Sequence, residues 1–584
     1  METANYQIGA STITLTKDGL TITLPRSQWS ARQWNWLVNM LAQVMGVGLA
    51  WVLAPTVISA ASSEAGNPAP RWKRMVIDGL SYLLFVLMIP PEHTLRKLYD
   101  AFDWSTIDAK CAEVYKNQER GAPAYPPQVL FRILILMFAS GTPFESATLQ
   151  RLQTDVAWRW FVGLSLLHPV PNAGTLSYFR KRLGVERFEA ILVELILVCE
   201  AAGLIGHLEL YFDMTGVEAS ARQVTPYERA VILAKAMSAY LDEERGGESA
   251  VSREQIAAIV LEVLGEAHPS LKEVKPAQIV YSQDHLEQEL TRTVKGEPHW
   301  WQRMYQKVVE LKQKVAGVPP ATVDHLRQVA RELMTNLPQA FGNPDAAVGH
   351  TRTDGTLCGY RSGFLVDAKR WIIVAVVVVA LNRPEAPQVI KALDKHYAIF
   401  KRHPKRLGLD SAFDRDEVHR ELEQHDIYGG ITVRGRPGPA GVFHTDAFVW
   451  NEARQLVCPN GAVMVQVAGP YQDGKERYQA SARCAECPMF KQCLTTKQQQ
   501  KADPQRELQI QPAAHQRAQR NRERSRSPEG RALRRRRFAT EGLFGHLNTY
   551  HNGDKAPYRD GDMDTIAQLM VAFVSNLEKV ATYA

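Results

Sequence analysis

Leu208-Glu209-Leu210-Tyr211-Phe212-Asp213-Met214-Thr215-Gly216 is an apolar run that closes on one carboxylate. It predicts a buried strand with the acid at its end. Two further stretches share the construction. Arg406-Leu407-Gly408-Leu409-Asp410-Ser411-Ala412-Phe413 reads as a second strand ending in Asp410. Arg537-Phe538-Ala539-Thr540-Glu541-Gly542-Leu543-Phe544-Gly545 reads as a helix carrying Glu541. Acids at strand ends can converge while the sheet behind them stays dry, and Leu210, Phe212, Leu407 and Leu409 supply that backing. Three carboxylates gathered in this way can hold two Mg²⁺ ions, which clamp the attacking and leaving oxygens of a phosphodiester. A lone aspartate at a strand end is more often a turn or capping residue. The arginines leading into Glu541 favour the metal reading, since cations beside a carboxylate keep it ionised on a helix that would approach phosphate.

Outward from these stretches the pattern is α/β. Residues 371–381, rich in Val and Ile, predict a central strand buried on both faces, preceded by a strand at 359–366. Helices are expected at 384–400 and 415–425 and a short strand at 430–433, which together indicate an α/β sheet. Residues 525–530 read as a turn, 531–551 as one helix and 565–583 as a closing amphipathic helix. Other acids fit local roles: Asp367 in a turn, Asp414 and Asp416 opening a helix, Glu218 past Gly216.

Upstream, residues 92–205 are helical in pattern. Pro126 and Pro127 open an apolar helix at 129–138 that Gly141 closes, and further helices follow from Pro143 and around 158–161. Asn172 or Thr175 is placed to cap a helix bearing Arg180, Lys181 and Arg182, which are candidates for phosphate contact. A helix-turn-helix-like module and a plain bundle both fit this region. Residues 221–337 are polar and helical, with Trp300, Trp301 and Tyr305 inside. Near the start, Ile13, Leu15, Ile22 and Leu24 predict a hairpin about Asp18-Gly19.

A chain of 584 residues is too long for one core, so roughly three or four domains are expected. Its net charge of +7 is mild but uneven. Ten Arg and two Glu between His515 and Arg537 make a local excess of eight, leaving the remainder near −1. A concentrated basic segment on a nearly neutral body suits an anionic polymer or a solvated linker. Residues 36–54 are mostly apolar and about as long as a membrane span, but Asn39, Gln43, Gly46 and Gly48 interrupt them, so packed core helices are expected. No basic region followed by an apolar one marks a secretory signal, and a reducing cytoplasm is expected.

Of seven cysteines, Cys111, Cys199 and Cys358 are scattered. Cys484-Ala485-Glu486-Cys487 is a C-x₂-C pair, with Cys458 26 residues before it and Cys493 six after. Four such thiolates can close a tetrahedral Zn²⁺ site with no open position, whose role would be to fold a small domain at 443–500. Unligated thiols in an insertion are the alternative.

The chain resembles the bacterial insertion-sequence transposases of the Asp-Asp-Glu class. It is similar to the branch with an N-terminal helical domain and a Cys-bearing insertion before the glutamate. The resemblance is carried by Tyr125-Pro126-Pro127-Gln128-Val129-Leu130, Arg159-Trp160-Phe161-Val162-Gly163-Leu164 and Gly174-Thr175-Leu176-Ser177-Tyr178-Phe179-Arg180. It continues through Phe212-Asp213-Met214-Thr215-Gly216-Val217-Glu218-Ala219, Gly359-Tyr360-Arg361, Leu409-Asp410-Ser411-Ala412-Phe413 and the stretch 537–545.

It implies a ribonuclease H-like mixed sheet flanked by helices, assembled from residues 206–221, 345–442 and 530–584. Around this core a helical, DNA-binding domain is expected at 91–205 and a helical insertion at 222–344, while the family pattern does not cover the extension at 1–90, which stays unassigned. A four-Cys insertion at 443–500 and a basic linker at 501–529 would follow.

On the same ground Asp213, Asp410 and Glu541 are the catalytic triad and hold two Mg²⁺ (or Mn²⁺) ions. Arg534, Arg535, Arg536 and Arg537 contact DNA, and one structural Zn²⁺ sits on the four cysteines. The partners implied are double-stranded DNA, as element ends and target, and a second copy of the chain. No small-molecule substrate is implied, and the location is cytoplasmic, at the nucleoid. Two positions depart from the family pattern: Arg534 stands where Tyr is usual and Asn548 where Lys is usual, with His546 or His551 as substitutes for the Lys. A catalytically inactive DNA-binding relic and a nuclease without strand transfer are the rival readings.

Overall fold

The computed structural model describes residues 4–8, 11–16 and 19–23 and most of the chain from 81 to 583. Residues 24–80, 115–124, 245–250, 294–322, 352–354 and 434–441, with a few single positions, lie outside the described residues, and so do the apolar stretch at 36–54 and Trp300, Trp301 and Tyr305. No helix among the described residues is long and apolar enough to cross a membrane. The chain forms two compact units: Met1–Leu204 with Thr549–Asn552 and Leu569–Ala584, and Ile205–Asn548 with Gly553–Gln568.

In the first unit β1 (Ala4–Ile8), β2 (Ser11–Thr16) and β3 (Gly19–Thr23) pair antiparallel. Thr16 lies opposite Gly19, so that glycine is in the ladder and not in the turn expected of it. Ile13 still faces Ile22, and Leu15 faces Leu20, because a two-residue shift of register keeps every side chain on its face. Among the described residues the helices that follow are α1 (Thr94–Asp100), α2 (Ser105–Cys111), α3 (Pro127–Ala139), α4 (Glu145–Thr154), α5 (Val156–Val162) and α6 (Ala173–Ala201).

Helix α3 starts on Pro127 at its first turn, where the missing N–H costs nothing, and is buried on every side from Val129 to Phe138. That burial includes Arg132, which donates to the Phe161 and Gln128 carbonyls and lies against the Tyr99 and Trp104 rings. Asn172, not Thr175, caps α6, accepting from the Thr175 amide at 2.8 Å. Phe573 joins this core against Phe102 and Phe131, with ring centroids 5.4 and 5.2 Å away.

The second unit is built on a mixed sheet. Its longer strands are β4 (Glu209–Ala219), β5 (Ala347–Thr351), β6 (Gly355–Asp367), β7 (Ile372–Ala380), β8 (Arg406–Leu409) and β9 (Tyr428–Ile431), and Lys555–Ala556 adds a short one parallel to the end of β4. The main order is β9-β8-β4-β6-β7. Strands β4, β8 and β9 run parallel, while β6 is antiparallel to both of its neighbours β4 and β7. β5 also pairs with β6.

Between β4 and β5 stand α7 (Pro226–Glu244), α8 (Arg253–Gly265), α9 (Pro276–Thr293) and α10 (Val323–Met334), which share a core of their own including Ile232, Met237, Val260 and Leu326. Helix α11 (Ala386–Phe400) packs on β6 and β7, and α12 (Asp416–Gln424) follows β8.

A small subdomain comes next: β10 (Met464–Ala468), β11 (Glu476–Ala480) and β12 (Glu507–Ile510) form a three-stranded antiparallel sheet. The segment 501–529, expected to be a basic linker, is instead β12 and then helix α13 (Pro512–Arg526). Its arginines tie it down: Arg517 grips Asp416 at 2.8 and 2.9 Å, Arg520 grips Glu423, and Arg522 reaches Asp446 at 2.7 Å. Next come α14 (Pro528–Arg537) and α15 (Ala539–His551), where one continuous helix was expected, with Phe538 at the break.

The closing helix α16 (Gly561–Tyr583) is buried without interruption from Ile566 to Leu577, not amphipathic. From Leu569 on it belongs to the first unit, which corrects its assignment to the sheet-bearing core.

Candidate active site

Asp213 lies within β4, and Asp410 is the first residue past the end of β8, the parallel strand beside it. The ladder pairs Arg406 with Glu209 and Gly408 with Tyr211, so two residues further on Asp410 comes level with Asp213. Side chains alternate along a strand, which sets Tyr211, Asp213 and Asp410 on one face of the sheet. On the other side of β4, Asp213 is directly opposite Phe364, on that same face.

Glycine makes this face approachable. A Cβ on Gly408 would lie 2.5 Å from the Tyr211 ring, and one on Gly430 would lie 2.6 Å from Leu533. The bare backbone at these positions lets α14 rest on β8 and β9 through Leu533, which is wholly buried. Seated there, α14 delivers its last two arginines to the sheet. Arg536 donates from Nε and Nη2 to the two oxygens of Glu209, at 2.7 and 2.6 Å. Arg537 donates from Nη1 to Asp213 Oδ2 at 2.6 Å.

The electrostatics of the pair follow from this packing. Burial pushes the Asp213 carboxyl up to about 6; Arg537 opposes that, and the charges of Asp410 and Glu385 add to it. Asp213 Oδ1 accepts from the Met214 amide at 2.9 Å, and Asp410 Oδ1 accepts from the Ala412 amide at 2.8 Å, capping a short 3₁₀ turn. Asp410 is therefore both a capping residue and a neighbour of Asp213. Glu385, just before α11, is a third acid of this neighbourhood. Burial raises its carboxyl, Arg361 lowers it and Asp410 raises it, and it pairs with Arg361 at 2.8 Å. Sequence reading missed Glu385, because nothing in Arg383-Pro384-Glu385-Ala386 sets it apart from a helix-opening acid.

Glu541 is placed differently. It is exposed in the first turn of α15, and among the described residues it does not join Asp213 and Asp410 in a set of ligand atoms within 4.8 Å of one another. Its helix does lie over the same face: Phe544, one turn on, packs against Phe364 with centroids 5.7 Å apart. The other tempting acids take structural roles. Asp367 accepts from the Gly206, His207 and Lys369 amides, Asp414 pairs with His419, Asp416 opens α12, and Glu218 pairs with Lys555.

The arginines expected to face DNA are mostly spent inside the protein. Arg536 and Arg537 hold carboxylates, and Arg534 donates to the Ser525 carbonyl at 3.1 Å. Arg535 is exposed. In the first unit Arg180 is buried, at 3% exposure, and paired with Glu145, which removes it from phosphate contact. Lys181 is exposed, and Arg182 lies over the Tyr178 ring. Arg159, likewise buried, donates to the Leu152, Ser165 and His168 carbonyls, and Gly163 ends α5 at φ 81°. The Arg159–Leu164 motif is thus a structural corner.

The four cysteines are gathered in the small subdomain. Cys458, Cys484 and Cys493 pack against its core of Phe448, Leu456, Met464, Tyr478, Ala480, Leu508 and Ile510. Burial pushes the Cys493 thiol up to about 11; Arg506 opposes this, and Cys484, Cys458 and Cys487 reinforce it. The Arg506 amide donates to Cys484 Sγ at 3.5 Å. The four sulfurs do not all lie within 4.8 Å of one another, and none is in a disulfide.

Two family matches accompany this geometry. Residues 85–182 match the family described as Transposase domain (DUF772), and residues 457–581 match the one described as Transposase DDE domain. The second match includes Glu541, the arginines of α14 and the four cysteines; neither reaches Asp213 or Asp410. No curated protein and no solved structure was found to match the chain.

Proposed function

Proceeding from a chain that its two matched segments mark as an insertion-sequence transposase of the Asp-Asp-Glu class, we propose that Asp213 and Asp410 are the paired carboxylates of its phosphodiester chemistry. Glu541 is proposed as the third. The observation that carries the reading is the level placement of Asp213 in β4 and Asp410 just past the end of the parallel strand β8, under α14 and beside the Phe544–Phe364 contact of α15. The order β9-β8-β4-β6-β7, with one antiparallel strand beside β4, supports a ribonuclease H-like core.

The donor set suits a hard divalent cation. Two carboxylates lie side by side, and a guanidinium already lies against one of them, so the position attracts positive charge. Asp213, Asp410 and Glu541 would hold Mg²⁺ or Mn²⁺, which when bound supplies Lewis acidity for cleavage and for attack by a 3′-hydroxyl. The protein's own groups set the stage. The Met214 and Ala412 amides fix the rotation of the two carboxylates, and buried Leu210, Phe212, Leu407 and Leu409 keep water from behind them. Glu541 reaches the pair by movement of its exposed side chain or of the first turn of α15.

DNA is the partner. Contact with element ends falls to exposed cations such as Arg535 and Lys181, and two copies of the chain would bring two ends together. In the small subdomain Cys458, Cys484, Cys487 and Cys493 would hold Zn²⁺. Four soft donors around a core of seven buried residues fit a metal that folds the subdomain and does no chemistry.

The test is a supercoiled plasmid carrying the element's ends. Mg²⁺-dependent nicking and joining of a 3′-hydroxyl end are expected, both lost in Asp213→Asn and Asp410→Asn. Nicking without joining would indicate a nuclease. DNA binding with no nicking, unchanged by either substitution, would indicate a relic and overturn the proposal.

A further inference from the structure

We propose that Arg537 is a positioning residue that competes with the divalent cation for the Asp213 carboxylate, holding that acid until metal binds and then passing to a substrate phosphate. The inference rests on Asp213 being a metal ligand, as read above. Its ground is the contrast between two neighbouring arginines on one helix. Arg536 grips Glu209 with two nitrogens on two oxygens, a closed fork that has no reason to open. Arg537 touches Asp213 through Nη1 alone, and its Nε is buried with no hydrogen-bond partner. A guanidinium that uses one corner of its fork is held by charge and is only partly satisfied by geometry.

The place matters as much as the grip. Arg537 is the last residue of α14, and Phe538 beside it is 60% exposed, with the guanidinium 5.6 Å from its ring. From the half-buried carboxylate the side chain therefore needs only to swing along the exposed ring to meet solvent or an anion. Two cations on one carboxylate repel, so metal and guanidinium bind Asp213 in alternation.

The experiment uses the full-length protein and Mn²⁺ alone as probe, followed by calorimetry and by electron paramagnetic resonance. Asp213→Asn should abolish the tight Mn²⁺ site; if it does not, the metal-site reading itself fails. With that control met, Arg537→Gln should bind Mn²⁺ about tenfold more tightly than wild type, while DNA-end cleavage falls. Arg537→Lys, which keeps the charge and loses the fork, should lie between the two. Mn²⁺ affinity unchanged or weakened in Arg537→Gln would overturn the inference. Should that variant fail to fold, Arg537→Lys decides: tighter Mn²⁺ binding than wild type supports competition, and equal or weaker binding ends it.

Discussion

Asp410 gives one carboxylate oxygen to the Ala412 amide, so its substitution touches both fold and chemistry. Asparagine can keep the cap and cannot keep the charge. Asp410→Asn should therefore melt like wild type and not nick DNA, whereas Asp410→Ala should also lose about 1 kcal/mol, read by urea unfolding. His396 carries a different dependence. It is wholly buried in α11, and burial, helped by the charges of His207, His403 and Arg402, lowers its pKa from 6.5 to about 4. The unfolded chain then binds the proton first as pH falls. The stability contributed by neutral His396 is complete above pH 6.5 and is lost as pH drops toward 4, by about 3 kcal/mol at most. His396→Leu should flatten that slope between pH 7 and 4.5, measured by urea unfolding at each pH. At this scale the sequence was legible in the local part of a residue's role, as in the turn that Asp367 closes on the Lys369 amide and the place of Asp416 in the first turn of α12; the distant partners of both, Gly206, His207 and Arg517, were not. It marked Arg537 as a cation for DNA but was silent on its pairing with Asp213, 324 residues away.

Helix α14 reaches its arginines to the sheet only because Gly408 and Gly430 leave room for it. Gly430→Ala would set a methyl 2.6 Å from Leu533 Cδ2, so the helix must shift. A loss of about 1–3 kcal/mol is expected, with Mg²⁺-dependent nicking impaired although no acid has changed. Differential scanning fluorimetry and a nicking assay together would show it. The strands of the sheet were readable from their apolar runs because burial on both faces writes itself into composition. Helix α13 was not, since ion pairs with Asp416, Glu423 and Asp446 anchor it and no apolar stripe does. This difference has a consequence for DNA binding. Arg526 and Arg535 are exposed and, among the described residues, in no ion pair, so alanine at either that meets phosphate should reduce the salt slope of binding by about 1. Alanine at Arg517 or Arg520 should lower stability and leave the slope alone. Fluorescence anisotropy across a salt series separates the two.

At the scale of the whole chain, the small subdomain interrupts the sheet-bearing unit between Asp410 and Glu541 with a core of only seven buried residues. If zinc staples it, purified protein should contain about one Zn²⁺ per chain by elemental analysis. Cys484→Ser with Cys487→Ser should then make residues 443–510 protease-sensitive. The two units themselves were only partly legible. A run of buried residues in α16 is visible in sequence, but the partner of that run is a matter of topology, and local pattern does not encode it. The first unit begins with Met1–Leu204 and is completed only by Thr549–Asn552 and the segment from Leu569. Phe573 seals the ring cluster of Phe102 and Phe131. On a ribosome adding about 5–20 residues per second, that ring cluster waits on the order of 20 to 90 s for its missing piece. A nascent chain that stalls in the interval carries a gap where Phe573 belongs, and quality-control proteases would meet it before a genome does.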